Sequence, residues 1–230
     1  MLLDADFRLI NEEFYAASVS PTQLDTLLAD GWRHFGTHFF RYNLGIYKDE
    51  VRRVLPLRIR LANLELSKSL RRVLRRNSDL DVRIQPIEIT DETHDLFERH
   101  KRRFKSGAPN SLYDFLSQDA ANDPTKGLEV DIRRERQLLA ASFLDEGETS
   151  ISSIYGIFDP AETSRSLGIL TMLKEIEYAI ENGKTFYYHG YAYEGESFYD
   201  YKKRFTALER FDWEGNWEEF ATENTEKDEE

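Results

Sequence analysis

The chain has 230 residues, 40% of them apolar and 13% aromatic, enough for one large folded domain or two small ones. Its 43 Asp and Glu outweigh 31 Lys and Arg, giving a formal net charge of -12, and it contains no cysteine. This composition excludes a natively disordered chain, disulfides, a thiolate nucleophile and a zinc–thiolate site.

In chain order, the opening MLLDADFRLINEEF carries acids early and lacks a basic stretch followed by an apolar one, so it reads poorly as a signal peptide. No apolar run reaches the roughly 18 residues of a membrane span, and cytoplasmic residence is the default expectation. At Ser20–Gln23, S-P-T-Q offers a cap, a first-turn proline and a capping-box partner, and Leu24, Leu27 and Leu28 form the stripe of a helix that Gly31 ends. Trp32 to Tyr47 is aromatic-rich and expected to be extended. His34 and His38 fall in this segment, and a strand or loop there argues against a shared metal site. Val51 to Leu61 alternates as a strand, with Pro56 pointing to a sheet edge or a bend.

The stretch SKSLRRVLRRN, Ser67–Asn77, predicts an amphipathic helix capped by Ser67 and stopped by Asn77. At about 100° per residue, Lys68, Arg71, Arg72, Arg75 and Arg76 share an arc of roughly 140°. Val82 to Ile89 reads as a strand. Thr90 opens a helix that carries Leu96 and Phe97 and ends in HKRRFK, and Leu112, Phe115 and Leu116 suggest a further short helix. Three extended segments, Leu128–Arg133, Leu138–Leu144 and Ser150–Phe158, are joined by short turns and predict an antiparallel meander. Ser164 to Gly168 leads into a long helix with Leu167, Leu170, Leu173, Ile176 and Ile180 on its apolar face and Gly183 as its stop. Thr185 to Tyr188 is a strand, followed by a tyrosine-rich loop and a short basic helix near Lys202 to Arg204.

Charge is unevenly placed. Val51 to Lys105 holds 15 basic and 8 acidic residues, a net of +7, which leaves 16 basic against 35 acidic residues elsewhere. Ten of those acids lie in Glu209 to Glu230, and the text after Trp217 reads as a solvated, disordered tail.

A meander, a loop, a long helix and another strand follow one another in the order of a GNAT acyltransferase core. The expected fold class is therefore α+β: a mixed, mostly antiparallel sheet flanked by helices, with a small N-terminal α/β region. In that arrangement the helix start Ser164, Arg165, Ser166, Leu167 and Gly168 would offer free N–H groups to donor phosphates. A simply capped helix start accounts for S-R-S-L-G about as well.

Taken together, the segments resemble the aminoacyl-tRNA–protein transferase family, which includes arginyltransferases and bacterial leucyltransferases. GWRHFGTHFFR at Gly31–Arg41 resembles its G-F-R-x-x-G-x-x-x-Y-R element, and LPLRIRL at Leu55–Leu61 its next strand. SKSLRRVLRRNSDL resembles S-x-S-x-R-R-x-x-R-R-N, and SSIYGIFDPAETSRSLGIL resembles Y-x-F-x-D-P followed by S-L-G. YYHGYAYEGESFYDYKKRFTALE at Tyr187–Glu209 resembles the Y-x-G-Y element and the terminal Y-K-x-x-F. The chain departs from the family where a cysteine cluster is usual, at Tyr42–Val54. It departs again at Phe198–Tyr199, which replaces K-M, at Ala207, which replaces a proline, and in the poorly matched loop Lys105–Ser111.

The resemblance implies a domain at 61–213 preceded by a cysteine-free N-terminal region, 1–60, and followed by the acidic tail, 214–230. It implies N-degron-type transfer of an amino acid, Arg or Leu, from aminoacyl-tRNA to the N-terminus of an acceptor protein, with no DNA or membrane partner; the alternatives are an N-acyltransferase of the same fold using another donor such as acyl-CoA and a non-catalytic tRNA- or degron-binding relative. The missing cysteines, where the family has its cluster, imply no metal and no iron–sulfur cluster. An amide replaces an activated ester, so the task is to position both partners, accept a proton and steady an oxyanion. Expected roles are Tyr201, Lys202, His189 and Glu194 for the chemistry, and Arg41, Arg58, Asp159, Tyr188, Gly190 and Tyr191 for the acceptor. The basic face of Ser67–Asn77 would hold tRNA phosphates without reading bases.

Overall fold

The computed structural model describes residues 8–105 and 107–220. Its centre is the meander: β7 (Gly127–Arg134), β8 (Gln137–Glu146) and β9 (Ser150–Phe158) pair antiparallel in sequence order. Every position of β8 after Gln137 is buried, which requires cover on both faces. Helix α4 (Leu167–Glu181) covers one face, where Leu139, Ala140 and Leu144 meet Leu170, Leu173 and Ile176. Helix α3 (Asp91–Lys101) covers the other, where Leu138, Ala141 and Phe143 meet Leu96 and Phe97.

The sheet extends from β9 through a parallel neighbour, β10 (Phe186–Tyr193), to the long antiparallel strand β5 (Glu50–Arg60). Beyond β5 lie β11 (Leu208–Phe211) and β12 (Trp217–Glu219), and β6 (Asp81–Pro86) closes the far edge beside β7. The α+β, GNAT-like arrangement expected from element order is thus present. Its N-terminal part adds α1 (Pro21–Ala29) and a three-stranded sheet of β1 (Asn11–Tyr15), β2 (Arg33–Phe35) and β3 (His38–Tyr42). Ser20 and Gln23 form the anticipated reciprocal cap of α1. His34 is buried between the Gly36 carbonyl and the Asp145 carboxylate, each 2.8 Å away, while His38 bonds Glu13, so the two rings serve separate contacts.

Several boundaries differ from the sequence expectation, for reasons that lie in pairing. β5 is not an edge strand. Pro56 sits between the stretch paired with β4 (Leu44–Tyr47), which ends at Arg53, and the stretch paired with β11, which starts at Leu57. A missing N–H is tolerated in that gap. Because β5 belongs to the main sheet, residue 60 marks no architectural break. The strand expected to stop at Tyr188 continues to Tyr193, since β5 pairs with it throughout. The helix expected around Leu112–Leu116 is a single 3-10 turn, Leu112–Asp114.

The acidic segment also begins later than expected, because Trp217 to Glu219 pair with β11. Trp217 donates its indole N–H to the Ala29 carbonyl at 2.8 Å and lies 4.2 Å over the Arg58 guanidinium. The remainder of the expected disordered tail, 221–230, lies outside the described residues. Trp217→Ala should lower the unfolding free energy by roughly 2 kcal/mol, because it removes apolar area and a hydrogen bond together. A denaturant midpoint equal to that of the parent protein would reject this packing role.

Candidate active site

β9 and β10 pair in parallel only at three positions, Ser150–Ser152 against Phe186–Tyr188. Past that point they part, and side chains rather than backbone bonds fill the gap. Arg33, carried in from β2, spans the opening: its guanidinium donates to Ser152 Oγ at 2.9 Å and to the Ser153 carbonyl. On the β10 side, pairing with β5 slips between Tyr188 and Gly190, and Gly190 takes φ +94°, a left-handed conformation that favours glycine. The result is a cleft of about 940 Å³ at the split in the sheet. Phe35, Phe40, Phe115, Tyr155, Phe158 and Tyr199 supply much of its aromatic wall.

The start of α4 borders this cleft. Ser166 is its N-cap but adopts φ 55° and makes no side-chain capping bond, so the first helical N–H groups, at Leu167 and Gly168, meet no acceptor among the described residues. Ser166, Leu167 and Gly168 line the cleft, and Gly168 is close enough to Phe158 that a Cβ there would lie 3.1 Å from the ring. Ser164 and Arg165 do not line it. Arg165 is bound through both terminal nitrogens to Asp79 at 2.9 Å and also pairs with Glu162, so its charge is already neutralised. It serves as a strut between this loop and α2 (Lys68–Arg76). Arg76 donates to the Ser164 carbonyl and Asn77 to the Arg165 carbonyl, so the basic helix ends directly on the loop that leads into α4.

Opposite α4 lies a 3-10 segment, Phe198–Arg204, whose cap is the reciprocal Ser197–Asp200 pair. Tyr201 and Lys202 both line the cleft. Lys202 donates to the Tyr191 carbonyl at 2.9 Å, and burial, reinforced by the nearby Arg33 charge, pulls its pKa down to about 7. It is the best-placed group in the cleft to accept a proton at neutral pH. His189 fits that task poorly: burial first, and the Lys202 charge second, push its pKa down to about 3. The neutral ring faces the Lys202 carbonyl with Nε2 at 3.0 Å and leaves Nδ1 without a partner among the described residues, so it supports the backbone of residue 202. Glu194 is exposed at the end of β10 and does not line the cleft.

Of the residues expected at the acceptor, Gly190, Tyr191 and Asp159 line the cleft, Asp159 already paired with Arg99 at 3.1 Å. Arg58 and Tyr188 do not reach it. They project to the face shared with α1, where Arg58 pairs with Glu209 and bonds the Tyr188 hydroxyl. Strand alternation decides this, because Tyr187 and His189 take the other face of β10. Arg41 also lies outside, held by Glu12 and Asp30 beside Trp32.

Residues not singled out from sequence complete the cleft: Arg33, Arg103, Tyr155 and Glu175. Arg33 and Arg103 lie inside the quoted GWRHFG and HKRRFK stretches, but neither stretch says which arginine turns inward. Glu175 is fully buried on α4 and accepts from the Tyr187 hydroxyl at 2.5 Å, and burial raises its pKa. Its signal was an acid beside the apolar stripe of α4, indistinguishable in sequence from the more exposed Glu177.

On α2, Lys68, Arg71, Arg72, Arg75 and Arg76 are all exposed, and none has a carboxylate within ion-pair distance among the described residues. The segment corresponding to the family's cysteine cluster forms the β4–β5 hairpin. It offers no thiolate, so a cysteine-ligated iron–sulfur cluster does not fit this chain.

The family described as "Arginine-tRNA-protein transferase, C terminus" matches residues 92–212. An aspartate/glutamate leucyltransferase of Helicobacter hepaticus is 28% identical over 201 residues, covering 85% of this chain and 82% of the relative. One from Stenotrophomonas maltophilia is 32% identical over 176 residues, covering 72% of this chain and 69% of its own length. Among solved structures, L-PGS from Bacillus licheniformis aligns with a TM-score of 0.49 at 15% identity, covering 81% of this chain and 55% of that one. From its ordered motifs, the family match and the leucyltransferase relatives, the chain belongs to the arginine-tRNA-protein transferase family.

Proposed function

We propose that this protein transfers an aminoacyl group from aminoacyl-tRNA to the N-terminal amine of an acceptor protein in the cytoplasm, marking it for degradation in an N-degron pathway. The observation that carries the reading is the cleft, with unfilled helix N–H groups on one wall and a lysine of pKa about 7 on the other. In the proposed reaction, Lys202 Nζ takes a proton from the acceptor's α-ammonium. The freed amine bonds to the ester carbonyl carbon, and the bond to the ribose oxygen breaks. The leaving oxygen collects the proton from Lys202, whose freed amine then takes the second proton off the bonded nitrogen, leaving a neutral amide. Arg33 supplies fixed positive charge beside the developing oxyanion. The N–H groups of Leu167 and Gly168 hold a phosphate at the 3′ end of the donor.

Leucine suits the donor site better than arginine. The carboxylates that line the cleft are engaged, Asp159 by Arg99, Glu162 by Arg134 and Arg165, and Glu175 by Tyr187, which leaves none free for a guanidinium. Arg33, Arg103 and Lys202 have no carboxylate partner among the described residues, which suits an acidic acceptor. The relatives' name, aspartate/glutamate leucyltransferase, agrees with both choices. The test supplies labelled Leu-tRNA or Arg-tRNA with peptides beginning Asp, Glu, Lys or Arg. Label from Leu-tRNA on the Asp and Glu peptides is expected. No transfer from either tRNA to any peptide would sink the reading.

The exposed face of α2 is proposed to hold tRNA phosphates. Changing Arg71, Arg72, Arg75 and Arg76 to Glu should weaken aminoacyl-tRNA binding by at least about a hundredfold at low salt and flatten its dependence on salt concentration. An affinity and salt slope equal to those of the parent protein would remove α2 from the interface.

A further inference from the structure

Arg103 is anomalous among the cations of the cleft. It follows the end of α3, and its guanidinium packs against three aromatic rings, 5.2 Å from Phe104, 4.7 Å from Phe158 and 5.3 Å from Phe198. No hydrogen bond or ion pair engages that guanidinium among the described residues. Cation–π contact holds its plane and narrows its freedom but leaves its donors unused. A half-buried, immobilised arginine with idle donors is set up to receive a planar anion.

Two hydroxyls share its surroundings. Tyr155 stacks on Phe115 with ring centres 3.9 Å apart, and its buried hydroxyl has no partner among the described residues. The Tyr201 hydroxyl forms no hydrogen bond among the described residues, and both residues line the cleft with Arg103. Burial pushes both phenols up to about 12, opposed by the Arg103 charge, so each stays a neutral O–H able to donate. One unpaired cation and two unused hydroxyls therefore border the same space, next to Lys202.

We infer that Arg103, with the hydroxyls of Tyr155 and Tyr201, seats the side-chain carboxylate of the acceptor's first residue. The inference rests on the aminoacyl-transfer reading and names the acceptor-reading side of the same site. Placement beside Lys202 favours a peptide carboxylate over a tRNA phosphate. An acidic first residue carries its α-amine and its carboxylate on one short stub, so the group that takes the amine proton and the group that reads the carboxylate must be neighbours. Tyr201 and Lys202 are consecutive residues that both face the cleft. A guanidinium fork also matches a carboxylate through two parallel bonds, and the aromatic surroundings keep competing water away.

The experiment measures binding, without tRNA, of two peptides that differ only in beginning with Asp or Asn, and then their competition for label. The parent protein is expected to prefer the Asp peptide. Arg103→Gln should cut that preference about ten- to a hundredfold, with Arg103→Lys restoring part of it. Tyr155→Phe, which removes one hydroxyl and keeps the stacked ring, should reduce the preference by a smaller factor. A preference unchanged in both Arg103→Gln and Tyr155→Phe overturns the inference. So does a loss that appears in aminoacyl-tRNA affinity instead, which would assign Arg103 to a phosphate, and so does a parent protein that binds both peptides alike. Because binding is read without transfer, a parent protein that prefers Asp but transfers no label would overturn the transfer reading and leave this assignment standing.

Discussion

Lys202→Met is expected to reduce aminoacyl transfer by about a hundredfold to ten-thousandfold while leaving aminoacyl-tRNA bound. The size follows from the protonation state the step requires. An ordinary lysine, with a pKa near 10.4, is neutral in only about one molecule in a few thousand at pH 7. Burial and the charge of Arg33 bring Lys202 to about 7, so roughly half the molecules hold a free amine at neutral pH. The sign of the pH dependence follows. The base works deprotonated, so the transfer rate should climb as pH rises through about 7 and then level off. The profile should lose this limb in Lys202→Met. Lys202→Arg keeps the charge but holds its proton, so it should be as inactive as the methionine variant. Full activity in the arginine variant would show that Lys202 contributes charge and not proton transfer.

Gly190→Ala should be the second damaging change, through backbone and site together. A side chain at φ +94° costs on the order of 1–3 kcal/mol where the surrounding pairing holds the conformation. The added Cβ would also fall 2.9 Å from Lys202 Nζ, so the lysine head must move. Displacing a catalytic group by about 1 Å can cost on the order of a hundredfold in rate. The variant should therefore lose stability in denaturant titration and lose transfer activity by about that factor. Aminoacyl-tRNA binding, which the proposed reading assigns to α2 and the start of α4, should be retained. An alanine variant with normal turnover would mean that the Lys202 position is slack.

Local signals in the sequence survived folding with little change. The cap at Ser20–Gln23, the amphipathic helix from Ser67 to Asn77, the meander and the long helix after Ser166 all lie where periodicity and capping put them. The order of those elements was sufficient for the GNAT-like fold class. What misled was local chemistry whose meaning depends on a distant partner. Pro56 looked like the mark of an edge or a bend, but β5 is not an edge, and the proline occupies a gap between two neighbouring strands. Trp217–Glu219 looked like the start of a tail, but β11 recruits it into the sheet.

The site divides along the same line. Tyr201, Lys202, Gly190 and the helix start at Ser166–Gly168, singled out by ordered motifs, do line the cleft. Arg41, Arg58 and Arg165 looked alike in sequence to Arg33 and Arg103, since each is a basic residue in an aromatic or polar stretch. Strand alternation and competing carboxylates then tied up the first three, at Glu12 and Asp30, at Glu209, and at Asp79. Of these five arginines, Arg33 and Arg103 line the cleft and have no carboxylate partner among the described residues.

By itself, then, the sequence determined which elements form, how they are ordered and that one helix face is strongly basic, because periodicity, capping and composition act over a few residues. The tertiary structure alone decided which charges are free. It also set the basic α2 against the loop before α4 through Arg76 and Asn77, although 88 residues separate each of them from its partner. Pairing and burial are non-local: a strand's face, a lysine's pKa and an arginine's partner exist only once distant segments share the same few ångströms.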